Sequence, residues 1–142
     1  MAGTQERYAE AQRLSQLLVS IAEHAKCDFA QVAGTLGLPV HLARAVLLLG
    51  EPAPMRTLAE GLSCDRSYIT NLADQLEERG LVERVPGDDR RVKLLALTPH
   101  GVSLRDQLSE TVAKQSMVLR RLDDNQRAAL APLLEALADG SD

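Results

Sequence analysis

The chain has 142 residues, about one domain, and its 45% apolar and 25% charged residues support a packed core and exclude wholesale disorder. Sixteen basic and twenty acidic residues leave a formal net charge of -4, which excludes a general cationic sheath but not a local basic cluster. With no Trp, one Phe and two Tyr, the core must be built from Leu, Val, Ile and Ala, which favours a mainly α chain over a β-sandwich. Cys27 and Cys64 lie far apart and form neither a disulfide framework nor a metal cluster, a usage that fits a reducing cytoplasm. The first ten residues are polar, and no apolar run approaches the roughly 18 residues of a membrane span. The expectation is a soluble, cytoplasmic protein without membrane contact.

From about Glu6 to Ala33, Leu14, Leu17, Leu18, Ile21, Ala25, Phe29 and Val32 recur at helical spacing until Gly34, Gly37 and Pro39 collect. A second helix from about Pro39 carries Val40, Ala43, Val46 and Leu47, and ends before the turn Gly50 to Pro54. Thr57 and Glu60 read as a capping box opening a short third helix, stopped by Gly61, Ser63 and Asp65. Asp65 can cap the next helix, about Arg66 to Arg79, with Ile69, Leu72, Ala73 and Leu76 inward and Gly80 as its stop. Two short helices joined by a tight turn form a helix-turn-helix pattern.

The period then changes. Leu81–Val85 and Val92–Leu97 read as strands around the turn-forming tip Pro86–Arg91, so a hairpin follows the helix pair. Thr98 and Pro99 open a helix carrying Leu104, Leu108, Val112, Leu119 and Leu122. Asp123 to Gln126 can cap a last helix with Leu130, Leu133, Leu134 and Leu137, in which Pro132 is expected to cause a kink or a restart.

The fourth helix offers Arg66, Ser67, Tyr68, Thr70 and Asn71 on its outward faces near its N-terminus, the half of a recognition helix that enters the major groove. An Asn amide can pair with adenine, and small hydroxyls can reach phosphates or base edges. A solvated helix face would carry similar residues. In the hairpin, Arg84, Arg90, Arg91 and Lys93 oppose Asp88 and Asp89, a local net of +2. A guanidinium at such a tip can enter a narrow minor groove, aimed by a neighbouring carboxylate such as Asp89. Alone, the same hairpin would read as a charged turn that keeps an edge soluble.

The stretch Leu58 to Gly101 closely resembles the multiple-antibiotic-resistance (MarR) family of regulators. The matching features are Leu58-Ala59, Ser67-Tyr68-Ile69-Thr70, Leu76 to Val82, Arg84, Asp89-Arg90-Arg91 and Leu97 to Gly101, in order and at the right spacing. The resemblance implies a mainly α fold with a small β-hairpin wing: a winged helix-turn-helix between long N- and C-terminal dimerisation helices. It implies one domain over 1–142, with 1–37 and 98–142 forming dimerisation helices and 38–97 the DNA-binding lobe. It further implies a homodimer on a pseudo-palindromic operator in double-stranded DNA, acting most often as a repressor. The arginine at Arg91 would reach the minor groove and the aspartate at Asp89 would support the wing. Independently, the broad apolar stripe of the first helix and the apolar terminal helices exceed what one small lobe can cover, which also points to a partner copy.

Relatives of this kind commonly release DNA on binding a small aromatic or anionic effector. Arg13, His24, His41 and Arg44 are candidates to line such a cleft. Cys64, just before the recognition helix, is a candidate redox switch, so a cysteine-based redox regulator of the same fold is one alternative. A winged helix used for protein contacts without DNA is another. Cys27 reads as a packed small hydrophobe. The three histidines show no metal-ligand spacing, and no phosphate loop or nucleophile elbow is present, so neither a metal, a cofactor nor an enzyme activity is expected.

Overall fold

A computed structural model describes residues 2–140. The elements in order are α1 (Ala2–Thr35), α2 (Val40–Leu48), β1 (Ala53–Pro54), α3 (Met55–Leu62), α4 (Arg66–Glu78), β2 (Val82–Pro86), β3 (Lys93–Leu97), α5 (Pro99–Gln115), α6 (Met117–Arg121) and α7 (Asp124–Ala138). The mainly α chain with a small antiparallel sheet is a winged helix-turn-helix, as expected. Two compact units are formed: one takes the chain up to Asp28 and from Val112 onward, the other runs from Phe29 to Thr111. Among the described residues, no single helix is long and apolar enough to cross a membrane.

The unit from Phe29 to Thr111 holds the core. Leu42, Val46, Leu49, Leu58, Ile69, Leu72, Leu76, Leu81, Leu95 and Leu108 are all buried there. Gly61 lies inside α3 rather than ending it. A Cβ at Gly61 would stand 3.0 Å from Leu48 Cδ1, so the glycine lets the α2 and α3 surfaces approach. Of the expected stops it is Ser63 that ends α3, in the left-handed region at φ 53°, with the Cys64 N–H bonded to the Ala59 carbonyl. The expected capping box is not formed: α3 starts at Met55 with Pro54 as its cap residue, which leaves Thr57 inside the first turn.

That earlier start has a cause in the sheet. The turn expected over Gly50–Pro54 ends in β1, which pairs antiparallel with β3, Ala53 opposite Leu95 and Pro54 opposite Leu94. The sheet order is therefore β1-β3-β2, with β2 and β3 forming the hairpin in register Val82 to Leu97, Arg84 to Leu95 and Pro86 to Lys93. Gly87 closes the tip, because its N–H bonds the Val92 carbonyl and a Cβ there would lie 2.9 Å from that oxygen.

The helix boundaries around α4 follow the local chemistry. The Asp65 carboxylate accepts the Tyr68 N–H at 2.9 Å, and Gly80 at φ 71° lets the Leu81 N–H return to the Leu76 carbonyl. Thr98 caps α5 by accepting the Gly101 N–H at 3.1 Å and donates its own proton to the Gly80 carbonyl, tying the end of α4 to the start of α5.

The C-terminal run differs from the sequence expectation. The helix expected to reach Leu122 ends at Gln115, and Ser116 caps the short α6 by accepting the Val118 N–H. Asp123 and Gln126 form a reciprocal capping box on α7, as expected. Pro132 does not restart α7, which runs through it to Ala138. The carbonyl of Ala128 that Pro132 leaves without a helical donor belongs to an exposed residue, where water can satisfy it.

One packing contact leaves no room at all. A Cβ on Gly101 would lie 2.1 Å from the Leu81 carbonyl oxygen. Gly101→Ala is expected to force α5 away from the start of the wing and to cost about 3 kcal/mol of unfolding free energy, measured from the denaturant midpoint. An unchanged midpoint would mean that α5 moves freely at this point.

Candidate nucleic-acid interface

The interface is built on two supports, the first turns of α4 and the β2–β3 hairpin. Capping fixes the first. Asp65 spends one carboxylate oxygen on the Tyr68 N–H and on the Ser67 hydroxyl, each at 2.9 Å. The amide, and then the hydroxyl, hold the Asp65 carboxyl below the usual aspartate range. Ser67 is therefore committed to the cap, and the Thr70 hydroxyl bonds back to the Arg66 carbonyl at 3.1 Å. Arg66 and Asn71 stand exposed, and among the described residues their side chains make no hydrogen bond or ion pair. Tyr68 is exposed too, its ring 6.3 Å from that of His41.

The second support is braced from inside and below. Asp89 accepts the Arg91 backbone N–H at 3.1 Å, and the Val92 N–H bonds the Asp89 carbonyl at 2.9 Å. Asp89 thus shapes the turn through the backbone and does not hold the Arg91 guanidinium. Arg90, Arg91 and Lys93 are exposed and, among the described residues, carry no ion pair. Arg84 is different: its Nε donates to Glu77 Oε1 at 2.7 Å and its Nη2 to Asp74 Oδ1 at 2.8 Å, so it bridges the hairpin to α4.

Between the two supports lies a cleft of about 520 Å³, lined by Arg56, Arg66, Thr70, Arg91 and Lys93 over Pro54, Met55, Ala59, Ile69 and Val92. Four cations and no acid face it. Such a cleft concentrates positive potential against a low-dielectric wall, which favours a phosphate or another anion. Arg56 escaped sequence reading. It stands in the first turn of α3, directly after β1, and the pairing of β1 with β3 brings that turn beside the wing.

The candidate effector residues are not drawn into this cleft. His41 bonds Gln75 Oε1 at 3.0 Å, linking α2 to α4, while Arg44 is exposed on α2. Arg13 and His24 are exposed on the part of α1 that belongs to the other unit. Cys64 is partly exposed in the turn before α4. Cys27 is exposed on α1 rather than packed as a small hydrophobe.

The Asp65 cap carries a pH signature. A carboxyl whose folded value is lowered adds stability that is complete above the ordinary aspartate range and fades as pH falls through the lowered value. Asp65→Ala is expected to lower the melting temperature at neutral pH. Asp65→Asn, an equally good cap, is expected to keep most of it while flattening the acid limb of the profile. Identical pH profiles for all three proteins would contradict the cap assignment.

The geometry has counterparts among known proteins. The MarR family model matches residues 50–93, from the loop before β1 to the first residue of β3. A transcriptional regulatory protein for the hcr operon of Thauera aromatica is 38% identical over 82 residues, covering 56% of this chain and 49% of that protein. The chain thus spans about half the length of the curated relative it matches. A MarR-family transcriptional regulator from Rhodococcus sp. RHA1 superimposes with a TM-score of 0.75 at 28% identity, over 91% of this chain and 94% of that one. CouR from Rhodococcus jostii RHA1, in a structure bound to p-coumaroyl-CoA, superimposes with a TM-score of 0.73 at 26% identity, over 91% and 94% of the two chains. Capped recognition helix, braced wing, matched core and shared chain-wide fold converge on one likeness: the chain resembles the MarR family of transcriptional regulators, by the family model over residues 50–93 and by fold over most of its length.

Proposed function

We propose that the chain is a non-enzymatic, sequence-specific DNA-binding regulator that works as a homodimer on a pseudo-palindromic operator. In this reading Arg66, Ser67, Tyr68, Thr70 and Asn71 present the helix to the major groove, and Asp89, Arg90, Arg91 and Lys93 present the wing to the adjacent minor groove and backbone. The observation that carries it is the acid-free cleft of Arg56, Arg66, Arg91 and Lys93 in a protein of net charge -4. Cations left without partners on one face of an acidic protein are a specific arrangement, because surface cations are otherwise readily screened by neighbouring acids.

The dimer is supported by the other unit. Leu14, Leu17 and Ile21 on α1 and Leu133, Leu134 and Leu137 on α7 are each more than two-fifths exposed. Apolar side chains in such density on surface helices call for a second copy, and two-fold symmetry would place two lobes on two half-sites. Residues 1–37 and 98–142 would supply the dimerisation helices and 38–97 the DNA-binding lobe. Repression at the operator is the commoner behaviour of the family the chain resembles, and is the reading adopted here. Release by a small aromatic or anionic effector is supported by the relative solved with p-coumaroyl-CoA.

Two substitutions separate affinity from specificity. Arg91→Ala is expected to weaken operator binding about tenfold or more and to reduce the salt slope by about one, with an unchanged melting temperature. Asn71→Ala should instead relax base preference at one position of each half-site by about 1–3 kcal/mol, read by binding-site selection. An Arg91→Ala protein with full operator affinity would remove the wing from the interface.

A further inference from the structure

Arg84 is the cation of the hairpin that is not free. It leaves β2 where Arg84 pairs with the buried Leu95 of β3, so it is anchored in the structured base of the wing and not in its tip. Its guanidinium meets two carboxylates one turn apart on α4, Asp74 at 2.8 Å and Glu77 at 2.7 Å. The planar fork of an arginine suits two simultaneous bonds, and its donors are fixed relative to one another in a way that a lysine's are not. A lone surface ion pair adds little, but here one guanidinium joins two elements at two points and so defines an angle between them.

The position of the two acids adds a second consequence. On α4, Asp74 follows Thr70 by four residues and Asn71 by three, so it stacks on the side that carries the candidate base-reading residues. Left uncompensated, the Asp74 and Glu77 carboxylates would stand next to the approaching phosphates. Arg84 halves that negative charge. Two of its five N–H donors are committed to these carboxylates, which hold the guanidinium at the base of the wing against α4, while Arg66, Arg90, Arg91 and Lys93 carry no such ties among the described residues.

We propose that Arg84 is a positioning residue: it locks the wing to the recognition helix through Asp74 and Glu77 and halves their net charge, and it does not contact DNA. This rests on the DNA-binding reading above. It fixes the spacing between the helix in the major groove and the wing tip in the minor groove, so both can engage one half-site together.

The two roles of Arg84 predict opposite signs. The test compares the wild type with Asp74→Ala/Glu77→Ala, Arg84→Gln and Arg84→Lys. Binding is measured on the operator duplex recovered by selection with the wild type and on a mixed-sequence duplex. Removing both acids makes the protein more positive by two charges and would release Arg84. If Arg84 is a clamp, the double variant nevertheless loses about tenfold in operator affinity, and lysine at 84 does no better than glutamine. The Arg84 Nε–H resonance, protected from solvent exchange in the wild type, should also become fast-exchanging in the double variant. Unchanged or tighter operator binding by the double variant, or restoration by Arg84→Lys, would overturn the clamp. A wild type that binds neither duplex would instead fail the DNA-binding reading itself.

Discussion

A protein with more acids than bases can present a cationic face only if the acids bordering that face are engaged elsewhere, and the lobe is arranged around this constraint. Asp65 is spent on the α4 cap, Asp89 on the backbone of the wing turn, and Asp74 and Glu77 on Arg84. Each of these acids does structural work within a few residues of the cations it would otherwise neutralise. What remains facing the cleft is Arg56, Arg66, Arg91 and Lys93. The same hydrogen bonds that define the helix start and the turn therefore also set the sign of the local field. Fold and electrostatics are not separable here.

The backbone makes this arrangement possible through close approaches. Gly87 closes the hairpin against the Val92 carbonyl, and Gly101 seats α5 on the Leu81 carbonyl. Thr98 then joins the end of α4 to the start of α5 through a single hydroxyl. These contacts surround the junction of recognition helix and wing, so the element that carries Asn71 and the element that carries Arg91 share one rigid base. The two units divide the remaining labour. Among the described residues the buried hydrophobic ones lie between Val32 and Leu108, whereas Leu14, Leu17 and Ile21 of α1 and Leu133, Leu134 and Leu137 of α7 are exposed. The first unit is thus short of the burial that stabilises the second, a deficit that the proposed second copy would make good.

Sequence reading captured what depends on neighbours in the chain. Asp65 and Gly80 bounded α4, Pro86 to Arg91 marked the wing, and Thr98-Pro99 opened α5, because caps and turns are decided within three or four residues. It missed what depends on distant pairing. A two-residue strand has no period to detect, so in the sequence β1 looks like part of a turn, which hides the true start of α3 and the placement of Arg56. The Thr57–Glu60 pattern was a sound capping signal overruled by that pairing. The break at Ser116 escaped notice because serine is tolerated inside helices and no glycine or proline marks the spot. Of the site, residue types and neighbourhood were legible, but partners were not. Nothing in the sequence distinguished Arg84, held by two acids, from Arg91, held by none.

The charge-segregated face is most directly tested by the salt dependence of duplex binding by the unmodified protein. If the cleft and wing bind phosphates, log affinity must fall linearly with log salt, with a slope of about -0.9 for each phosphate neutralised and hence several units for a dimer. That steepness is expected despite the net charge of -4. No binding to any duplex at low salt, or an affinity indifferent to salt, would contradict the account and leave the winged helix as a surface for protein contacts.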